Sequence, residues 1–317
     1  MSVRRCSQAC SNQVGRLAGR AMQHGRMRAG MRAILFLSVC LPAVWVHAQQ
    51  ASWVSSTVAM TQDGATHADH AGHGMQSAES MTPVEAGKLA AIERLMQPYD
   101  GDVPGASLLV VKDGQVVLRR GFGRSDLAKG VDAGPATNYR LASVTKPFTA
   151  AAILLLAQEG KLSLDDPVKR WLPSLPEVAD GITIRHLLNH TSGLLDYEDL
   201  MAKPYEGQIL DAGVLALMEQ QDRLYFPTGS EYRYSNSGYA LLALVAERVS
   251  GMTFADYLRT HVFVPLGMLN THARVEGGPE IANRAWGYSA AEDGWVLTDQ
   301  NAYSAVLCDG GIYSNID

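Results

Sequence analysis

The sequence predicts an α/β fold in which an antiparallel sheet is flanked by helices and interrupted by a mostly helical insertion. Three observations carry the prediction. Residues 106–122 read as two apolar strands around Asp113-Gly114, a dipeptide suited to a tight hairpin turn. Residues 143–159 are apolar nearly all round at helical length and stop at Gly160. Between about 162 and 300, short helical patterns follow one another with few strand signals.

The first 48 of the 317 residues carry seven arginines, no acid and an apolar run from Ala33 to Val46, closing on Val46-His47-Ala48. A basic stretch, a short apolar stretch and small residues are the pattern of a secretory signal, so residues 1–48 are expected to leave by cleavage after Ala48. Met27 and Met31 are alternative starts that would give a signal of ordinary length, and Leu37-Ser38-Val39-Cys40 faintly resembles a lipoprotein processing site. The apolar run is too short for a membrane span, so no stable span is expected after cleavage.

Without the signal, the 27 basic residues fall by seven to 20 against 32 acidic ones, a net charge of −12. Such a surface repels nucleic acid and anionic membranes. Cys6, Cys10 and Cys40 leave with the signal, so Cys308 has no disulfide partner within the mature chain and reads as a small buried residue.

Residues 49–80 are rich in Ser, Thr, Ala, Gln, His and Gly without apolar periodicity and read as a flexible tether. His67, His70 and His73 recur within it, but three imidazoles with no carboxylate or thiolate make a weak metal site, and none is assigned. Order is expected from residue 81. Thr82-Pro83-Val84-Glu85 combines a capping box with proline at the first helical position, and a helix should span 83–97. Ala106–Lys112 reads as a buried strand and Gln115–Phe122 as its return. The later helices are placed at Ile184–Asn189, Ala212–Gln220, Tyr239–Ser250 before Gly251, and Phe254–His261.

Two clusters carry chemistry. Ser143 and Lys146 stand three apart at the start of the central helix, a spacing that puts both side chains on one face. A serine hydroxyl becomes a nucleophile once a base takes its proton, and a lysine has no packing reason to enter an apolar core. The N-terminal N–H groups of the helix also favour a developing oxyanion. The second cluster is Tyr234-Ser235-Asn236, after the turn Pro227-Thr228-Gly229. Tyr234 is a candidate to accept or relay the Ser143 proton with Lys146 balancing the charge. Asn236 is a candidate to bind a substrate amide and orient Lys146. The bland reading of this second cluster is a helix cap with a satisfied phenol.

From Val103 onward the chain resembles the serine β-lactamase and penicillin-binding-protein superfamily, in the branch of class C β-lactamases, D-aminopeptidases and related esterases. The segments that carry the resemblance are Leu141-Ala-Ser-Val-Thr-Lys146, Leu162-Ser-Leu-Asp-Asp-Pro167, Ile184 to Leu194, Tyr234-Ser-Asn-Ser-Gly-Tyr239, Pro265-Leu-Gly-Met268 and Asp309-Gly-Gly-Ile-Tyr-Ser314. The resemblance implies a β-lactamase/DD-peptidase-like fold over residues 81–317 with the helical insertion at about 162–300. It further implies an acyl-enzyme at Ser143, Lys146 as its helix partner, Tyr234 and Asn236 as the second motif, and a structural part for His190. Thr228 stands where the family more often has proline.

The family's third element, a late strand with Lys-Thr-Gly or His-x-Gly, has no match before Asp317. The expectation is therefore a C-terminally truncated chain lacking the last strands and terminal helix, with an exposed sheet edge, much of the central helix uncovered and activity impaired. The implied reaction is acyl transfer from an ester, amide, D-amino-acid peptide or β-lactam to water, with a small-molecule or peptide substrate and no cofactor. The rival expectation is a non-catalytic relative that binds peptidoglycan-like or protein partners. The sequence carries no signal for an oligomeric state.

Overall fold

The computed structural model describes residues 83–201, 207–299 and 304–317. The signal, the tether and His67, His70 and His73 lie outside the described residues.

Helix α1, Pro83–Met96, runs into a short 3-10 turn, and the strands β1, Ala106–Lys112, and β2, Gln115–Phe122, follow as an antiparallel hairpin. Asp113 and Gly114 both take positive φ at its tip, the geometry that the sequence signal requires. Arg120 of β2 bonds Glu93 of α1 at 3.1 Å. Of β1, however, no residue is fully buried, and Leu109 and Val111 are exposed. The expected buried strand is corrected to a half-exposed one. Among the described residues β1 pairs only with β2, and a two-stranded ribbon cannot cover both of its faces.

Short strands β3, Arg124–Asp126, β4, Val131–Asp132, and β5, Tyr139–Arg140, lead to a 3-10 turn at Ala142–Thr145 and helix α2, Lys146–Gln158. Pro147 sits at the start of α2, where a missing N–H costs nothing. Ala152, Ile153 and Leu156 are fully buried, whereas Leu154 is 50% exposed. The expectation of a helix buried on every face is corrected, and that of a helix much of which is uncovered holds for one side only: α2 is covered on one side and open on the other.

Helices α3, Ile184–Leu188, α4, Tyr197–Leu200, α5, Asp211–Met218, α6, Asn236–Ser250, and α7, Phe254–Leu258, build the helical part. α6 is the core helix. Ser235 caps it by accepting from the Gly238 N–H, and Gly251 ends it in the left-handed region at φ 73°. Gly238, Ala240, Ala243 and Ala246 are small, which lets neighbouring backbone approach closely; the main core joins α6 with α2, α3, α5 and α7.

The stretch from 270 to 299 departs from the expected helical pattern. It contains β6, His272–Ala273, and a hairpin of β7, Tyr288–Ala291, with β8, Gly294–Leu297. The last elements are α8, Leu307–Gly310, and β9, Ile312–Ser314. β9 is fully buried between β5 and β6, antiparallel to both, with Arg140 opposite Tyr313 and Tyr313 opposite His272. This three-stranded sheet holds the segment that enters the Ser143 turn: Leu141 N–H donates to Ile312 O at 2.8 Å, and Ile312 N–H to Thr145 Oγ1 at 3.2 Å.

Leu154 and Leu156 provide an internal comparison on one helix. Leu156→Ala should destabilise the chain by about 2–5 kcal/mol, the range for emptying a buried leucine site. Leu154→Ala should stay within about 0.5 kcal/mol. Urea unfolding of both variants checks this; equal shifts would contradict the assigned faces.

Candidate active site

Ser143 stands on the turn before α2, accessible to solvent, and its predecessor Ala142 takes φ 46°, a region alanine rarely adopts. The sheet pairing of Tyr139 and Arg140 with β9 holds this bend in place. Three residues on, Lys146 is buried, and its Nζ has three acceptors: Ser143 Oγ at 3.3 Å, Asn236 Oδ1 at 2.8 Å and the Asp309 carbonyl at 3.0 Å. Those acceptors come from three separate segments, and together they use all three donors of an ammonium group.

Tyr234 O–H lies 2.6 Å from Ser143 Oγ. Its ring is fixed from two sides, by Lys146 Nζ at 4.8 Å from the ring centroid and by His190, stacked at 4.7 Å. The four residues singled out in the sequence, Ser143, Lys146, Tyr234 and Asn236, thus meet at one point from positions up to 93 residues apart.

His190 supports the cluster from behind. Its Nδ1 accepts the Ser235 N–H at 3.1 Å, its carbonyl accepts from Arg233 N–H at 3.0 Å, and its own φ is 59°. Burial, and then the Lys146 charge, lower its pKa, which suits a neutral ring accepting at Nδ1. The neighbouring Gly193 cannot be replaced easily: φ is 77°, and a Cβ there would stand 2.2 Å from the Phe226 carbonyl. Thr228 uses its hydroxyl to bond the Ser192 carbonyl at 3.0 Å, so the departure from proline adds a tie between the turn and this loop.

Several residues at the site were not picked out in the sequence. A polar cavity of about 130 Å³ is lined by Arg140, Ser143, Tyr197, Glu198, Asn236, Ser304 and Asp309. Asn236 is oriented here, its N–H donating to Asp196 Oδ2 at 2.9 Å and its Nδ2 to Glu198 Oε1 at 3.2 Å. Tyr197 O–H reaches Asp309 Oδ2 at 3.0 Å and Ser304 Oγ at 2.8 Å. Burial pushes the Tyr197 hydroxyl well up, keeping it protonated, and it also pushes Asp309 up to about 7, against the pull of Lys146. The sequence signal for these residues was Asp196-Tyr197-Glu198 directly after the Ile184–Leu194 segment, together with an acid before Gly310-Gly311.

Cys308 is buried and free, its Sγ 2.7 Å from Asp211 Oδ1 and 2.9 Å from the Tyr239 carbonyl. Burial raises its thiol well above the ordinary range, which leaves it a packing residue. Among the described residues no cluster of His, Cys, Asp and Glu is arranged to hold a metal ion, and no helix is long and apolar enough to cross a membrane.

The support role of His190 is measurable. His190→Phe keeps a flat ring against Tyr234 and removes the acceptor for Ser235 N–H, so it should cost about 1–3 kcal/mol by leaving a buried donor unpaired. Urea unfolding reads the loss; no change would mean that the Ser235 N–H finds another acceptor.

The model of the family described as Beta-lactamase matches residues 90–317. Penicillin-binding protein 4* of Bacillus subtilis (strain 168) is 36% identical over 201 residues, which cover 61% of this chain and 44% of the relative. The chain thus spans less than half the length of that curated relative. Among solved structures, the octameric penicillin-binding protein homologue from Pyrococcus abyssi has 31% identity and a TM-score of 0.61, covering 73% of this chain and 54% of that one. The D-amino acid amidase from Ochrobactrum anthropi SV3 has 28% identity and a TM-score of 0.61, covering 71% and 67%. With the family model reaching from the first helix to the last residue, the chain belongs to the Beta-lactamase family.

Proposed function

We propose that this chain is an exported serine hydrolase that transfers an acyl group through an ester on Ser143 to water. The observation that carries the reading is the contact of Ser143 Oγ with both Tyr234 O–H, at 2.6 Å, and Lys146 Nζ, at 3.3 Å. In the reacting state Tyr234 is the phenolate that accepts the Ser143 proton. Lys146 supports that charge from 4.8 Å over the ring without itself offering a lone pair, since its donors are all engaged. Ser143 Oγ then attacks the substrate carbonyl, and Tyr234 passes the proton to the leaving group. Asn236 holds Lys146 and presents its amide edge at the cavity, where a substrate amide can bond it. No metal or cofactor takes part in these steps.

The substrate is an ester, amide, D-amino-acid peptide or β-lactam. The names of the relatives, a penicillin-binding protein and a D-amino acid amidase, favour the D-peptide and amide end of that range. Export rests on the basic and apolar pattern of residues 1–48, with 49–80 as a tether to the domain at 81–317.

A fluorophosphonate or penicillin probe should label Ser143, as read by mass spectrometry of the adduct peptide, and Ser143→Ala should abolish labelling. Label that persists in the variant would move the nucleophile elsewhere. Lys146→Ala and Tyr234→Phe should each slow acylation by about 10²-fold or more. Together they should cost much less than the product of the two, because they act on one proton. Multiplicative losses in single-turnover kinetics would contradict that shared role.

A further inference from the structure

Ser143 has two polar sides. On one stands Tyr234, which does not line the cavity; on the other the cavity opens, lined by two acids, Asp309 and Glu198, and of these Glu198 is engaged by Asn236 Nδ2 at 3.2 Å. The Asp309 side chain is buried, at 7% exposure for the residue, and the acylation steps above leave its carboxylate unused. It is held rather than neutralised. Tyr197 O–H fixes Oδ2 at 3.0 Å, Ser304 Oγ fixes that tyrosine at 2.8 Å, and Tyr197 N–H is anchored on Ser237 Oγ at 2.8 Å. Apart from Ala142 and Gly310 the remaining lining is polar, and a space of about 130 Å³ is ample for a water, which needs about 10–15 Å³ and two to four polar partners.

We propose that Asp309 is the general base of deacylation, a second base that activates the hydrolytic water on the face of the Ser143 ester opposite Tyr234. The inference rests on the serine-hydrolase reading above. A cavity water gives one proton to the Asp309 carboxylate as its oxygen bonds to the acyl carbon. The tetrahedral intermediate then breaks its bond to Ser143 Oγ, and the proton returns from Asp309 to that oxygen. Ester and water become acid and serine, and both groups end as they began.

The charged and titratable groups around Asp309 are Lys146 of α2, Arg140 of β5, Tyr197 of α4, Asp211 of α5 and the buried Cys308 thiol, with Glu198 lining the same cavity. Burial dominates them and places the carboxyl at about 7, where a base is about half ionised at neutral pH and strong enough to take a proton from water. A base with a raised value is lost as pH falls through it, so deacylation should decline below about pH 7.

The test separates the two half-reactions of p-nitrophenyl acetate. Asp309→Asn keeps the carbonyl that Lys146 bonds and an oxygen for Tyr197, so acylation should stay within a few-fold while deacylation falls by about 10²-fold. The signature is one p-nitrophenol burst per enzyme, an acetyl adduct accumulating on Ser143, a flat pH profile for the residual deacylation, and recovery by hydroxylamine, which needs no base. Tyr197→Phe keeps the carboxylate and removes a bond that lowers its value, so its deacylation midpoint should move to higher pH. Unchanged deacylation in Asp309→Asn, or equal loss of both half-reactions without hydroxylamine recovery, overturns the proposal. An unaltered midpoint in Tyr197→Phe also counts against it. If the unsubstituted chain forms no adduct on Ser143, the serine-hydrolase reading falls and this proposal with it; normal acylation with unaffected deacylation in the variant sinks this proposal alone.

Discussion

The site is organised around one buried cation. Lys146 enters the core side of α2, where an unpaired charge would cost several kcal/mol. It is tolerated because Ser143 Oγ, Asn236 Oδ1 and the Asp309 carbonyl satisfy it. Each acceptor belongs to a different part of the chain, so meeting the lysine's needs fixes the nucleophile turn, the start of α6 and the approach to β9 relative to one another. Tyr234 and His190 then stack upon this arrangement, and β9 locks it by pairing with β5 just ahead of Ser143. Removing one acceptor would leave the charge partly unpaired, which is why the polar groups here act as a unit.

Helix signals were read from the sequence with little loss because their causes are local. Pro83 sits at a helix start, Gly251 ends α6, and Asp113-Gly114 makes its turn, each through bonds within a few residues, whereas α2 and α6 begin at Lys146 and Asn236 rather than at the expected 143 and 239. Ser143, Lys146, Tyr234 and Asn236 were legible as two short clusters, since serine beside lysine on an apolar helix has few structural excuses. Their meeting is tertiary, and the resemblance to a known family supplied it rather than any spacing.

What escaped has a physical reason as well. β5 and β6 are two residues each, too short to show a period, so nothing announced that β9 lies between them. The apolarity of α2 said that it packs but not on how many sides, and β1 looked buried because its residues alternate weakly between Leu, Val and Ser. Tyr197 and Glu198 carry no motif of their own, and Asp309 stood in the Asp309–Ser314 segment with no role assigned to it. They become a site only when α4 and α8 close over the cavity beside Ser143.

The claim that Lys146 ties three segments together is tested most directly by hydrogen exchange in Lys146→Met, a side chain of similar length without donors. Exchange should quicken together at residues 139–145 and 309–314 and at the first turn of α6, while the 106–122 hairpin, which makes no contact with the lysine amine, keeps its protection. Unchanged exchange at 309–314, with activity alone lost, would show that the lysine serves the chemistry and holds nothing in place.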